Sequence, residues 1–257
     1  FSQQQHVLTG EISEILLIVI AMTMLITPAL FILYDWVEKR SAEHQNHYEP
    51  DHIDHSGPVI IAGIGRFGQI VNRLVQSAGY ETVVLDHNME TIQLMRRFWF
   101  KGFFGDPTRH ELLHAAGLMK ANTLVVALDS PSATLKLVEY ARKERPDLHI
   151  IARARDRTAV FQLYQAGAND IIRELFDSSL RAGRYVLENI GLSEFEAAKA
   201  EKIFYDHDRA AIRDLAKVWK PGVKSSQNKD YIELSKQLQK DLEVLLTEQF
   251  EKGTKNE

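Results

Sequence analysis

The chain has 257 residues, 45% hydrophobic and 26% charged, with a formal net charge of −4. This is ordinary globular composition, and the mildly acidic balance argues against a dominant nucleic-acid surface. There is no cysteine, which excludes disulfides, thiolate metal sites and thiol-based redox sensing by the chain itself.

A chain without thiols can respond to electrophiles only through a bound ligand. It begins at Phe1 rather than methionine, and reads as a piece of a longer protein. Residues 15–34, ILLIVIAMTMLITPALFILY, carry no charge. About 20 such residues suffice to cross the hydrocarbon core as a helix. The run is too long for a secretory leader and lacks a basic flank before it. Pro28 is tolerable inside such a span, because neighbouring helices and the Thr23 and Thr27 hydroxyls can satisfy freed carbonyls. Trp36 is placed as an interfacial aromatic, and Lys39 and Arg40 follow it. That asymmetry puts the C-terminal side in the cytoplasm.

Residues 35–57 are polar and run into a Gly-Pro, as a linker does. His44, His47, His52 and His55 form two H-x-x-H pairs in it. A metal site or pH sensor is conceivable there, but no ordered scaffold is evident to fix ligands, so the reading is a solvated linker with no metal.

Residues 58–62, PVIIA, form a continuous apolar run, as expected of a strand buried on both faces. Gly63-Ile64-Gly65-Arg66-Phe67-Gly68 follows at once and completes G-x-G-x-x-G. It opens a helix in which Ile70, Val71, Leu74 and Val75 share a face. A second apolar run, 82–85, ends in Asp86. In this pattern the first glycine permits a tight turn, the second lets backbone approach a pyrophosphate, and the third lets helix and strand pack closely. The anion then sits on the helix N-terminus, and the acid about 20 residues on takes a ribose.

The alternation continues with strands over 101–106, 123–128, 149–152 and 170–172, and helices over 111–117, 133–143 and 158–165. The fold class is therefore α/β, a doubly wound parallel Rossmann-type sheet, with an N-terminal transmembrane helix and C-terminal helices. Ligands sit at the carboxyl ends of such strands. The candidate nucleotide site is Gly63, Ile64, Gly65, Arg66, Phe67 and Gly68, with Asp86, His87, Asp106 and Asp129. Asp86 favours an unphosphorylated ribose without distinguishing AMP from NAD(H).

A dehydrogenase needs a second domain for its substrate. Only a charged, helical stretch follows the sixth strand, with no nucleophile or paired-carboxylate motif. A membrane-tethered sensor is the better reading; a tethered NAD-dependent oxidoreductase and a regulator gated by nucleotide alone are its rivals.

The strings VIIAGIGRFGQIVNRLV, VVLDH, FFGDPTRHELLHAAG and HIIARARD, behind an apolar helix and a polar linker, resemble the Kef glutathione-gated potassium efflux systems. The resemblance covers most of residues 12–200. It implies a potassium/proton antiporter of the bacterial inner membrane, held closed by glutathione and opened by glutathione adducts. It also implies a homodimer of cytoplasmic regulatory domains, a nucleotide in each cleft, and an ancillary quinone-reductase-like flavoprotein. By position, Gly63, Gly65, Gly68, Asp86 and Asp106 touch the nucleotide. Glutathione carries two carboxylates, so its site calls for arginines; Arg66, Arg153 and Arg155 are the candidates. Phe98 is either a sensor of ligand bulk or a core aromatic.

Residues 176–191 resemble a crossover helix. Residues 231–252 carry Tyr231, Leu234, Leu238, Leu242, Leu245, Leu246 and Phe250 at helical spacing, which favours packing on another helix. The chain thus divides into a last transmembrane helix (1–36), a linker (37–57), a nucleotide-binding domain (58–174) and a helical region (175–257).

Overall fold

The computed structural model describes residues 10–45, 51–53 and 57–253, in two units, Phe1–Pro50 and Asp51–Glu257. The first unit is one helix, α1 (Gly10–Gln45). Its stretch Glu14–Tyr34 has a mean hydropathy of 2.7 and is long and apolar enough to cross a membrane. The helix does not stop with the apolar run but continues to Gln45, so the polar stretch begins as helix. Pro28 frees the carbonyl of Met24, yet the threonines bond elsewhere: Thr23 donates to Val19 and Ile20, and Thr27 donates to Thr23. The side chains of Trp36, Lys39, Arg40 and His44, and all of His47 and His55, lie outside the described residues.

The second unit is built on six parallel strands: β1 (Val59–Ala62), β2 (Thr82–Asp86), β3 (Phe103–Phe104), β4 (Thr123–Val126), β5 (His149–Ala154) and β6 (Asp170–Arg173). Their order is β3-β2-β1-β4-β5-β6, so the winding reverses between β1 and β4. The crossovers are α2 (Arg66–Ser77), α3 (Met89–Arg97), α4 (His110–Ala115), α5 (Pro131–Glu144) and α6 (Arg157–Gln165). Alternate residues of each strand feed two cores. Ile60, Val83, Leu124 and Ile150 pack with Leu113 of α4, Val138 of α5 and Leu163 of α6. Ile61, Val84 and Val125 pack with Ile92 and Met95 of α3 and Val71 of α2. Burying the sheet on both faces is what the continuous apolar runs require.

One expectation needs correction, and two features of the helices add to the sequence pattern. The third strand is two residues, Phe103–Phe104, rather than 101–106, since only these two pair with Leu85 and Asp86 of β2. The apolar face of α2 does not point inward as a whole: Ile70 is 70% and Leu74 71% exposed, while Gly68 and Asn72 are buried. And the region after the crossover contains a long helix that the apolar pattern did not single out.

That region comprises α7 (Phe176–Asn189), α8 (Glu194–Val218) and α9 (Lys229–Gly253). α8 starts with a reciprocal cap between Ser193 and Glu196. It buries mainly Ala197, Ala200, Ala211 and Leu215, small residues that give little hydropathic signal. The stripe of α9 packs within the chain: Tyr231, Leu234 and Leu238 lie against Phe161, Leu215 and Trp219. α7 buries no residue.

The C-terminus of α3 is unusual. The N–H of Phe100 bonds the Met95 carbonyl and that of Trp99 bonds the Arg96 carbonyl, the two bonds of a Schellman cap. The residue that turns left-handed in such a cap is usually glycine. Here it is Trp99, with φ 66, the single positive-φ residue other than glycine among the described residues. Its side chain is 96% exposed among the described residues.

Candidate nucleotide cleft and adjoining arginine pockets

Each glycine of the loop between β1 and α2 has its own steric reason. Gly63 has φ +96, and a Cβ there would lie 2.8 Å from the Ala127 carbonyl oxygen. A Cβ on Gly68 would lie 2.1 Å from the Gly63 oxygen, so only glycine lets α2 rest on β1. A Cβ on Gly65 would meet nothing within 4 Å; this residue faces open space, the approach a phosphate needs. Gly65 is also the N-cap of α2, where no side chain caps the helix and no acid lies in the first turn. The first N–H groups of α2 and the positive end of its dipole are thus available to an anion. The side chains of Ile64 and Phe67 pack into the core behind the loop.

Asp86 closes the other side. Its Oδ2 accepts from the Ile64 N–H at 2.7 Å and its Oδ1 from the Asn88 N–H at 2.7 Å. The carboxylate therefore fixes the loop to the end of β2 and keeps further lone pairs for a ribose. His87 is exposed beside it, with Nδ1 3.6 Å from Asp86 Oδ1. Asp106 is exposed after β3, its Oδ1 accepting from the N–H and hydroxyl of Thr108 at 2.9 and 2.8 Å. Asp129, after β4, sits across the switch point and bonds Arg153 at 2.6 Å. Loop, Asp86 and His87 form one constellation; Asp129 belongs to the next.

That second constellation is a pocket of about 230 Å³ at the carboxyl ends of β4, β5 and β6, lined by Arg66, Arg153 and Arg155 with Asp129 and Glu174. The three arginines singled out in the sequence do converge, but not equally. Arg153 is 8% exposed, and its guanidinium is committed to Asp129, to the Leu128 carbonyl at 2.7 Å and to Glu174 at 3.4 Å. The side chain of Arg66 is 95% exposed and only 3.8 Å from Glu174. Arg155 is exposed. Arg66 and Arg155 are the exposed members of the three, Arg66 held only by its long pair with Glu174. Phe98 is not with them. It is 64% exposed, so it is not a core aromatic, and lines a separate pocket with Arg73 and Leu94 between α2 and α3.

A charged cluster escaped the sequence reading. Asp208 of α8, 3% exposed, accepts from Arg157 at 2.7 Å and from Arg173, and Arg173 stacks over Phe176 at 3.7 Å. Together with Arg184 these line a pocket of about 460 Å³, walled by Leu180, Leu187 and Phe204. Its residues come from four separate helices and a strand end, a juxtaposition that no local motif announces.

A doubly wound sheet with this order, a glycine loop at its switch point and an acid ending β2 defines a Rossmann-type nucleotide-binding domain. The TrkA-N domain family matches residues 59–174, and the potassium efflux system KefB C-terminal domain family matches residues 178–257. Among curated relatives, glutathione-regulated potassium-efflux system protein KefC of Escherichia coli and that of Shigella boydii are each 40% identical over 218 residues, 84% of this chain and 35% of theirs. The chain thus spans about a third of the length of these relatives. The solved structure of the Shewanella denitrificans Kef CTD, in AMP-bound form, is 42% identical with a TM-score of 0.59, covering 65% of this chain and 100% of that one. The chain belongs to the Kef family of potassium efflux systems, as a C-terminal regulatory region.

Proposed function

We propose that this chain is the cytoplasmic control region of a potassium/proton antiporter in a bacterial inner membrane, and not an enzyme. In this reading an adenine nucleotide, AMP or NAD(H), occupies the glycine loop. Glutathione holds the transport pathway closed, and bulkier glutathione adducts open it. The observation that carries the reading is the placement of Arg66 and Arg155 around one pocket beside the nucleotide loop. Two carboxylates of a tripeptide can pair with them bidentately. Glu174, now shared by Arg66 and Arg153, stands immediately before α7. A ligand that takes Arg66 changes what Glu174 holds, and so biases the position of α7; that is how differential binding becomes a conformational signal.

The pocket of Arg157, Arg173 and Arg184 supports a second placement of the same ligand. At about 460 Å³ it falls within the usual size of ligand sites, roughly 300–1,000 Å³, whereas the first pocket is smaller. Both placements go with a homodimer. α7 exposes Tyr185 and Val186, Ile190 is exposed just after it, and α2 exposes Ile70 and Leu74; a second copy is the natural cover for them. Phe98 can sense ligand bulk at either arginine pocket only if the second copy brings it there. A quinone-reductase-like flavoprotein completes the proposed assembly.

Calorimetry on the full chain with AMP, NADH, glutathione and a bulky S-substituted adduct tests this. Nucleotide and both tripeptides are expected to bind. Loss of tripeptide binding in Arg66→Ala/Arg155→Ala places it in the first pocket, and loss in Arg184→Ala in the second. If neither tripeptide binds, control by nucleotide alone replaces the proposal. Turnover of NADH with a small carbonyl would make the chain an oxidoreductase instead.

A further inference from the structure

Trp99 is held in a left-handed conformation that a glycine would adopt freely, and its indole is almost wholly in solvent. Neither local strain nor exposure of a large aromatic is favourable, and persistence of both points to a contact made outside the described chain. The chemistry around it narrows the occupant. Arg97 and Lys101 flank Trp99, are exposed, and have no ion-pair partner among the described residues. An indole between two free cations matches the headgroup layer of an anionic bilayer, where the ring sits at the interface and the cations meet phosphates.

The turn that carries Trp99 is held firmly within its own unit. Asp51 is the first described residue after the polar end of the apolar helix, and it is fastened here. Its N–H bonds the Phe104 carbonyl at 3.0 Å, and its carboxylate accepts from the Phe104 N–H and from Arg96, both at 2.5 Å. Asp51, the residue that opens the second unit, is thus fastened to β3 and to the last turn of α3, the turn that ends in Trp99.

We infer that Trp99, Arg97 and Lys101 form a lipid-facing corner that seats the Rossmann domain on anionic headgroups. The corner is separate from the nucleotide cleft and from both arginine pockets.

The test uses the full chain in nanodiscs whose lipids are brominated near the headgroup, with Trp99→Gly as the reference that isolates the Trp99 emission. The expected result is quenching of the Trp99 component in phosphatidylglycerol discs, much weaker quenching in phosphatidylcholine discs, and its loss in Arg97→Gln/Lys101→Gln. Three outcomes overturn the inference: equal quenching in wild type and Trp99→Gly, quenching indifferent to lipid charge, or a Trp99 emission already blue-shifted in lipid-free detergent. The last would mean that protein, such as a second copy, covers the indole. Nucleotide affinity, measured on the same samples, stays unchanged in Trp99→Gly whichever way the corner docks, so failure here is distinguishable from failure of the nucleotide site.

Discussion

Arg173 ends β6 and Asp208 lies in the middle of α8, and their side chains meet where the sheet and the helical region are joined. Asp208 is 3% exposed and also takes Arg157, so one buried carboxylate pairs with two arginines from two different elements. Removing one partner of a buried pair is more damaging than never having the pair, because the remaining charge is left uncompensated. Asp208→Ala is expected to cost about 2–4 kcal/mol, the lower end reflecting the part-exposure of Arg157. Asp208→Ala/Arg173→Met should recover part of that loss. Denaturant unfolding of the three chains measures it; a loss below the scatter of surface substitutions would mean that the cluster does not hold α8 to the sheet.

The glycine loop gives a cleaner separation of stability from binding. Gly68→Ala drives a methyl to 2.1 Å from a backbone oxygen, which nothing nearby can yield to, so α2 must lift from β1. The chain should lose several kcal/mol, about what overpacking of a rigid core costs at its upper end, and nucleotide binding with it. Gly65→Ala meets open space. Its melting temperature should stay near that of the wild type, while AMP affinity falls at least about tenfold, roughly 1.4 kcal/mol, because the methyl fills the approach to the N-terminus of α2. A Gly65→Ala chain that binds AMP normally would place the phosphate elsewhere.

These two glycines also show what was legible before any coordinates. G-x-G-x-x-G between an apolar run and a helix, with Asp86 downstream, fixes backbone geometry through local sterics, and such sterics are written in consecutive residues. The six strands were legible for the same reason, as short apolar runs separated by turn residues. α8 was not, because alanines make its buried face nearly silent, although its S-x-x-E start at Ser193 is a capping signature that a closer reading could have used. The exposure of Ile70 and Leu74 could not be read either: periodicity says that a face is apolar, not whether this chain or another covers it. Nor could the burial of Arg153, whose partners Asp129 and Glu174 arrive from the ends of other strands. Charge pairs across a sheet depend on topology, which single residues do not carry.

The cap of α8 has a pH signature. The Ser193 hydroxyl and N–H both donate to Glu196, and these bonds hold the Glu196 carboxyl below the usual glutamate range. A carboxyl whose value is depressed in the folded state contributes stability above its unfolded value and loses it as pH falls through the folded one. The N-terminal turn of α8 should therefore loosen on acidification below the ordinary glutamate range. Ser193→Ala removes the hydroxyl bond but keeps the N–H one, so it should raise the Glu196 carboxyl part of the way toward that range and cost about 1 kcal/mol at neutral pH, the usual worth of an N-cap. Carboxyl NMR titration of the two chains reads the shift, and unfolding at neutral pH reads the cost.

Trp99→Gly makes the opposite prediction to most substitutions of a large aromatic. Burial of a tryptophan normally stabilises, but 96% of this one is in solvent, so truncation forfeits little apolar area. What it removes is the left-handed strain, roughly 1–2 kcal/mol for a residue with a Cβ. Glycine pays back some of that through the greater freedom of its unfolded chain, roughly 0.5–1 kcal/mol. The balance leaves Trp99→Gly about 0.5–1 kcal/mol more stable, a rise of a few degrees or less in melting temperature for a domain of this size. In lipid-free detergent that gain should appear in full. In anionic nanodiscs it should shrink or reverse, because there the indole has a contact to lose. A variant less stable than wild type in both media would show that the Schellman turn tolerates tryptophan without strain, and would remove the main reason to look for a partner at that corner.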